Sequence, residues 1–428
     1  MAERITASGT HRAVDAVWRI ESARIVAVLT RMVRDLGVAE ELAQDTLVTA
    51  LERWPDAGVP DNPGAWLMAA AKNRALDWLR RGQLIDRKHQ EIGRELEIEG
   101  EAFDPRIAES LDEDIDDDWL RLIFIACHPV LSTEARTALT LRLLGGLTID
   151  EIARAFLVPE PTIAQRIVRA KRTLSAAQVP FEVPRDDALA ARLSSVLEVI
   201  YLIFNEGYSA TSGNDWMRPS LCEEAVRVGR ILAELAPREP EVHGLVALME
   251  IQASRTRARV GPQGEPVLLL EQNRARWDHM LIGRGLAALA RAEALGGAHG
   301  PYALQAAIAA CHARARTADE TDWPRIAALY DALAQLMPSP IVELNRAVAV
   351  GMAFGPAAGL EIADALVDDK AMQNYHLLPS VRGDLLDKLG RREEAQRAFE
   401  RAAAMTKNAR EQTLLLERAT ACGSSART

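Results

Sequence analysis

IDEIARAFLVPEPTIAQRIVRAKRTL, residues 149–174, holds two helical patterns separated by a pair of prolines. In the first, Thr148 precedes Asp150 and Glu151, and carboxylates are favoured at the positive end of a helix dipole. Val158-Pro159-Glu160-Pro161 makes the turn, and Thr162 is placed to cap the second helix. From Thr162 to Leu174 that helix has four basic residues and no acidic one, although the whole chain carries a net charge of -10. Two short helices joined by a tight turn, the second basic, form a helix-turn-helix pattern. Gln165, Arg166, Arg169 and Lys171 or Arg172 recur at spacings that share a side, while Ile163, Ile167, Val168 and Leu174 are spaced to pack inward. Arg and Gln side chains pair with guanine and adenine edges in the major groove, so the pattern suits a duplex-reading helix. The competing reading is an ordinary surface helix of a bundle.

The rest of the composition sets the frame for that helix. A chain of 428 residues is long enough for two to four domains. Apolar residues make up 48% and aromatics only 5%, and the recurring Ala, Leu, Arg and Glu favour helix over sheet, which predicts an almost all-α protein. Cys127, Cys222, Cys311 and Cys422 lie far apart with no C-x-x-C pair, so they suggest core or surface thiols rather than a disulfide framework or zinc cluster. The start, MAERITASGTHRAVDAVW, has no apolar core of signal-peptide length, and no run is read as approaching the roughly 18 apolar residues of a membrane span. A cytoplasmic protein with no membrane partner is expected. An acidic total argues against coating nucleic acid with the whole surface, so any such contact must be local.

Upstream, Val14, Val17, Trp18, Ile25, Leu29, Met32 and Val33 are at helical spacing, and AEELAQDTLVTALERW predicts a second helix over 39–54. PDAGVPDNP then breaks the pattern, and Asn62-Pro63 starts a third helix, AWLMAAAKNRALDWLRR, over 65–81. It carries Lys72, Arg74, Arg80 and Arg81 beside Trp66 and Trp78, followed by Arg87 and Lys88. Aromatic and basic side chains together suit unstacked bases and phosphates, although Trp78 alone reads better as core. Periodicity is lost after Gly82, and ESLDEDIDDD, 109–118, has seven acidic residues in ten, the composition of a solvated linker or of a stretch that masks a basic surface. The helical pattern resumes at Trp119, and Ser132 and Thr133 are candidate caps for the next helix.

QVPFEVPRDD, 178–187, is a Pro-rich hinge and the expected domain boundary. Beyond it, small or apolar residues at i, i+4 and i+7 recur as Ala225, Gly229, Leu232, then Ile326, Tyr330, Leu333, then Gly359, Ala363, Leu366, then Ala395, Phe399, Ala402. The last three copies start at positions 326, 359 and 395, close to the roughly 34-residue period of tetratricopeptide helix pairs. An α-solenoid is expected, with an irregular first part over 188–300 and tetratricopeptide-like repeats over 301–422.

In order along the chain, AEELAQDTLVTALERW resembles the region 2.2 helix of bacterial sigma-70-family factors, NPGAWLMAAAKNRALDWLRR is similar to their regions 2.3 and 2.4, and TALTLRLLGGLTIDEIARAFLVPEPTIAQRIVRAKRTL resembles their region 4. With only a linker between them, this layout resembles the extracytoplasmic-function (ECF) class. The helical half that begins near YLIFNEGYSAT resembles the ECF subgroup with a tetratricopeptide-like extension. The resemblance implies region 2 over 10–90, an acidic linker over 91–118 and region 4 over 119–177.

It also implies roles. Glu41, Leu42, Gln44, Asp45 and Leu47 match the helix that docks on the β′ clamp helices of core RNA polymerase. Trp66, Ala71 and Asn73 match positions near the melted -10 element, with Lys72, Arg74, Arg80 and Arg81 on phosphates. Thr162, Gln165, Arg166 and Arg169, with Lys171 and Arg172, match the helix that reads the -35 duplex, and region 4 also implies contact with the β flap. The sequence departs from the family at Met68 and Ala69, at Leu157, Pro159 and Pro161 in the turn, and at Ala164.

No nucleotide-binding, hydrolase or zinc-protease motif is present, GRGLAAL at 283 lacks the preceding strand of a dinucleotide site, and the eight histidines are scattered, so no catalytic residue, metal or cofactor is expected. His128, beside Pro129 at a helix end, reads as structural. The expected function is promoter-specific initiation with core RNA polymerase, regulated in cis by the helical extension or through a regulatory protein bound to it. The rival is a polymerase-independent helix-turn-helix regulator with a repeat-built sensor; a helical hydrolase is a distant third.

Overall fold

The computed structural model describes residues 7–92, 115–156, 158–184, 186–210, 212–213 and 215–424. These divide into two compact units, 1–199 and 200–428.

The first unit begins with three long helices, α1 (Ala7–Val33), α2 (Leu36–Ala57) and α3 (Pro63–Ile92). Asp35 caps α2 by accepting from the Val38 amide at 2.9 Å, and Asn62 accepts from the Ala65 amide at 3.1 Å at the start of α3. The three helices pack against one another, and Val14, Trp18, Ile25, Leu29, Trp54 and Leu67 are buried. Two boundaries differ from the sequence reading. Helix α2 continues through Pro55 to Ala57 before Gly58, at φ +85, ends it, because a proline in the last turn forfeits a single backbone bond. Helix α3 runs on to Ile92, well past Arg81.

Next come α4 (Ile115–Ala126), α5 (Thr133–Leu143), α6 (Ile149–Phe156) and α7 (Glu160–Ala176). Helix α4 starts four residues before Trp119, which takes the end of the acidic stretch out of the linker. Asp118 is completely buried, with Oδ1 accepting from Arg121 at 2.6 Å and Oδ2 in an ion pair with Arg31 Nε of α1 at 2.9 Å. Its carboxylate thus joins α4 to α1, and Arg24 of α1 lies 5.0 Å from the centre of the Trp119 ring. Residues 93–114, most of the expected linker, lie outside the described residues.

Helix α8 (Asp186–Tyr208) follows the Pro-rich segment, and the units divide inside α8 rather than at 178–187. Its first half folds back onto α4 and α5. Ser195 donates to the Cys127 carbonyl at 2.7 Å and accepts from Arg136 at 2.5 Å, Arg136 also reaches Glu198 at 3.1 Å, and Arg192 donates to the Phe124 carbonyl at 2.7 Å. These donors satisfy orphan carbonyls at the end of α4. Burial pushes the Cys127 thiol up to about 11, so it is a packing residue without thiolate character.

The stretch Ala188–Tyr208 corrects the expectation that no run has span-like composition. It is 21 residues long and contains an 18-residue window of mean hydropathy 1.5, long and apolar enough to cross a membrane by length and composition. In the fold, Leu193, Val196, Leu197, Ile203 and Phe204 are buried, and Arg192 and Glu198 are engaged as above. An apolar sequence of this kind is what a helix packed on several sides requires.

The second unit continues with α9 (Pro219–Leu235), α10 (Pro240–Ala253), α11 (His279–Ala294), α12 (Pro301–Arg314), α13 (Trp323–Leu336), α14 (Pro340–Phe354), α15 (Pro356–Ala365), α16 (Leu377–Lys388), α17 (Arg392–Met405) and α18 (Ala409–Ser424). Neighbours in sequence pack as neighbours in space. Of the recurring i, i+4, i+7 positions, all are buried except Tyr330, which is half-buried, so the periodicity marks the packing side of each helix. At the α14–α15 crossing, a Cβ on Gly359 would lie 2.5 Å from the Ala347 carbonyl oxygen and 2.8 Å from the Gly351 Cα, so only glycine permits that approach. Between α10 and α11 the chain makes three short 3-10 turns, which accounts for the failure of the repeat over 255–300.

The all-α expectation has one small exception. β1 (Ser212–Gly213) pairs in parallel with β2 (Lys407–Asn408), and the buried Asn408 side chain donates to the Ala210 and Asp215 carbonyls at 3.1 and 2.9 Å. All four cysteines are free and buried.

Candidate nucleic-acid interface

The helix-turn-helix is built by local chemistry. Thr148 and Glu151 form a reciprocal capping box at α6: Thr148 N donates to Glu151 Oε2 at 2.8 Å, and Glu151 N donates to Thr148 Oγ1 at 3.1 Å. Ser132 caps α5, accepting from the Ala135 amide at 3.3 Å. Between α5 and α6, a Cβ on Gly145 would stand 2.5 Å from the Leu141 carbonyl oxygen, and Gly146 has φ +65, so this double glycine is a steric requirement of the bend.

Helix α7 begins earlier than its sequence suggests. Pro159 is the flanking residue, and Glu160 and Pro161 occupy the first turn, where a proline needs no amide partner; Thr162 lies inside the helix and does not cap it. Ile163, Ile167, Ala170 and Leu174 are buried at spacings of four, three and four. Val168, expected to pack inward, is 44% exposed, because it falls on the opposite side from that stripe. Thr162, Gln165, Arg169 and Arg172 are exposed and Arg166 is half-buried, giving one outward polar and basic face. Lys171 stands apart from it, with Nζ donating to Glu40 of α2 at 2.9 Å. Leu157, the departure in the turn, lies outside the described residues.

Glu40 was not among the residues singled out from sequence, and it organises this side of the unit. Oε1 accepts from Arg142 Nε of α5 at 2.9 Å, while Oε2 accepts from Lys171 of α7. Burial alone would raise its carboxyl, but Lys171 and Arg142 outweigh burial and hold it below the ordinary range. A run reading EE offers no signal to tell the buried Glu40 from the exposed Glu41.

On α2, Glu41 and Asp45 are exposed, Gln44 and Leu47 are half-buried and Leu42 is buried. Val48, 50% exposed, adds an apolar side chain to the Glu41–Asp45 side that the sequence reading missed. This face combines acids with accessible aliphatic surface, which suits docking against a basic, amphipathic partner helix.

Helix α3 separates packing from surface with a stripe of Leu67, Ala71 and Ala75, all fully buried. Ala71, expected among the -10 residues, is therefore corrected to a packing position. Asn73, Arg80 and Arg81 are exposed; Trp78, read as core, is 40% exposed beside them. Trp66 is half-buried, edge-on to Trp54 with ring centres 5.4 Å apart, and Arg74 donates to the Thr49 hydroxyl of α2. Lys72 lines a groove of about 380 Å³ with Glu21 and Arg24 of α1 and Asn62, Met68 and Ala69. That volume is at the lower end of the roughly 300–1,000 Å³ in which proteins hold small ligands. The side chains of Arg87 and Lys88 lie outside the described residues.

His128 Nδ1 accepts from the Val130 amide at 3.1 Å, closing the turn after α4. Among the described residues no group of three or more His, Cys, Asp or Glu side chains is arranged to hold a metal ion.

Three segments of the chain match family models. A family model described as Sigma-70 region 2 matches residues 19–84, and one described as Sigma-70, region 4 matches 121–174. A third, described as a family of unknown function (DUF6596), matches 192–293. The chain is 43% identical over 390 residues to an uncharacterised protein of Rhizobium meliloti, with 90% of each chain covered. It is 26% identical over 171 residues to the probable ECF RNA polymerase sigma factor SigI of Mycobacterium tuberculosis, covering 40% of this chain and 57% of that protein. The ECF RNA polymerase sigma factor SigK of Mycobacterium sp. (strain KMS) is 29% identical over 148 residues, covering 34% of this chain and 72% of the relative.

Proposed function

We propose, for a chain that belongs to the ECF class of the sigma-70 family, that it binds core RNA polymerase and directs it to a promoter with separate -35 and -10 contacts. The observation that carries this reading is the two-sided build of α7: Ile163, Ile167, Ala170 and Leu174 are buried, leaving Thr162, Gln165, Arg169 and Arg172 outward. Arg166 borders that face. In this reading these side chains meet the edges and phosphates of the -35 duplex. Asn73, Trp78, Arg80 and Arg81 of α3 track the melted -10 strand, and the groove beside Lys72 receives a base turned out of the stack. Glu41, Asp45 and Val48 of α2 dock on the β′ clamp helices, and the α4–α7 segment on the β flap. No covalent chemistry is assigned to any residue.

For the helical extension, the reading is regulation in cis by a tetratricopeptide-like stack that engages the rest of the chain, the polymerase or a regulatory protein. Its support is the neighbour-on-neighbour packing of α9–α18, which leaves repeated helix faces for recognition.

Run-off transcription with purified core enzyme and the gene's own upstream region tests both parts. Specific transcripts that require this protein support the first. No transcript together with no capture of core enzyme overturns it, and duplex binding that is just as tight without core enzyme favours the polymerase-independent regulator. A chain ending at Tyr208 keeps the α8 contacts to Cys127 and Phe124, and unaltered promoter use by it overturns regulation in cis.

A further inference from the structure

The unit spanning 200–428 contains a cavity of about 490 Å³, within the range of roughly 300–1,000 Å³ in which proteins hold small molecules. Leu248, Ile308, Leu333 and Val342 give it apolar walls. Arg255, His312, Tyr201, Gln305 and Tyr330 add polar groups to the lining, and Met337 and Ile341 of the lining are 46% and 48% exposed. An apolar chamber with a few convergent polar groups is the ordinary form of a small-ligand site.

Its one lining arginine, Arg255, belongs to a cluster with Arg259 and Arg274, which stand outside the lining. Arg255 is 9% exposed, and its guanidinium donates at 2.6 Å to both the Tyr208 hydroxyl and Gln252 Oε1 while Nε has no hydrogen-bond partner. Arg259, 7% exposed, packs on the Tyr208 ring at 3.5 Å and donates to the Tyr208 carbonyl. Arg274 donates to the His312 and Ala315 carbonyls, and its guanidinium lies 4.8 Å from the centre of the Trp277 ring. Aromatic faces, hydroxyls and carbonyls thus surround three guanidiniums. Among the described residues, none of the three has a carboxylate within ion-pairing distance, unlike Arg230 and Arg284, which share Glu250 nearby.

Buried cations normally carry a counter-charge, because dipoles alone replace their hydration incompletely. His312 is 8% exposed and its Nδ1 also lacks a hydrogen-bond partner. Burial, then the positive charges of Arg255 and Arg274, lower its imidazole to about 4, so at neutral pH it adds no charge. Burial pushes the Tyr330 hydroxyl up to about 12, leaving it a neutral donor. The wall therefore combines a guanidinium that has no ion-paired carboxylate, that of Arg255, with neutral hydrogen-bonding groups and an aliphatic chamber.

We propose that this cavity is a binding site for a small organic monoanion, a carboxylate on an aromatic or aliphatic body, with Arg255 facing the carboxylate and Leu248, Ile308 and Leu333 enclosing the body. A planar carboxylate matches a guanidinium fork, and a single lining arginine beside a neutral histidine suits one negative charge better than two. This site stands independently of the promoter-binding reading, since neither DNA nor polymerase enters its test.

The test is isothermal titration and thermal unfolding of the full-length protein with phenylacetate, 4-hydroxybenzoate, indole-3-acetate and octanoate, each beside its neutral amide, and with inorganic phosphate in a separate arm. At least one carboxylate is expected to bind more tightly than about 1 mM and to raise the unfolding temperature, with its amide at least tenfold weaker. Arg255→Gln is expected to lower that affinity at least tenfold. Should Arg255→Gln not fold, Asn345→Trp, at an exposed position on the cavity lining, is expected to abolish binding while leaving the circular dichroism unchanged. Failure of every carboxylate, equal binding of the amides, a response to phosphate alone, or unchanged binding by the folded variants would each overturn the proposal.

Discussion

Glu40 and Lys171 are 131 residues apart in sequence, and their side chains meet at 2.9 Å. Because the same carboxylate also accepts from Arg142, one residue of α2 fastens α5 and α7, and the helix assigned to polymerase docking is tied to the helix assigned to DNA reading. Glu40→Gln is expected to destabilise the first unit by about 1–3 kcal/mol, the usual scale for losing charge-assisted hydrogen bonds in a partly buried site. Urea denaturation monitored by tryptophan fluorescence measures it. The pH dependence has a definite sign. Lys171 and Arg142 hold the folded carboxyl below its ordinary value of 4.5, so its contribution is complete above that value and disappears as pH falls through the lower folded value. Wild type and Glu40→Gln should therefore differ in stability at pH 7 and converge in acid; a constant difference across that range contradicts the assignment.

Substitutions on α7 should divide by face. Gln165→Ala and Arg169→Ala are expected to weaken binding to the -35 duplex by roughly 10- to 100-fold each, and Arg169→Ala to flatten the salt dependence. Lys171→Ala should weaken it far less, since its ammonium is engaged by Glu40. Fluorescence anisotropy of labelled duplex across a salt series distinguishes the two classes.

Charged substitutions on α2 should leave DNA binding intact while removing polymerase binding. Asp45→Arg and Val48→Glu are each expected to reduce capture by core enzyme more than tenfold, with no change in the unfolding temperature, because both side chains are exposed. If pull-down efficiency is unaltered, the docking face lies elsewhere.

Asp118→Ala removes a fully buried carboxylate that pairs with Arg31 and Arg121. A loss of about 3–5 kcal/mol is expected, the scale for breaking a buried ion pair from one side. Thermal unfolding is the measurement, and a shift confined to a degree or two would show that the pair contributes little.

Much of this architecture is legible in sequence because it is local. The helix start at Thr148–Glu151, the Ser132 cap and the Asn62-Pro63 start each follow from two to four consecutive residues. What stayed hidden depends on partners far along the chain. Asp118 sits in an acidic run that reads as solvated, and only α1 supplies the Arg31 that draws it inward. Ala71 and Asn73 are two positions apart on one helix, yet the side that faces α1 and α2 is set by packing that the local spacing of a weakly amphipathic helix does not specify. Trp78 read as core for its size, but large aromatic side chains also serve at surfaces built for stacking. The cluster of Arg255, Arg259 and Arg274 was invisible for a similar reason: arginines in a loop-rich segment read as surface until the Tyr208, Trp216 and Trp277 rings are placed around them.

The helix starts of the second unit have a consequence for how it tolerates change. Six of them, α9, α10 and α12 to α15, carry proline at the first or second position. A pyrrolidine ring sets the first φ covalently and lowers the entropy of the unfolded chain, neither of which depends on ionisation. The starts at Asp35 and at Thr148–Glu151 rely instead on carboxylates that a proton or a neighbouring charge can weaken. These six starts are thus set by ring geometry, so salt or drift of nearby surface residues can alter what their faces recognise while these helices keep the same beginning, whereas α11 begins on the Asp278 carboxylate.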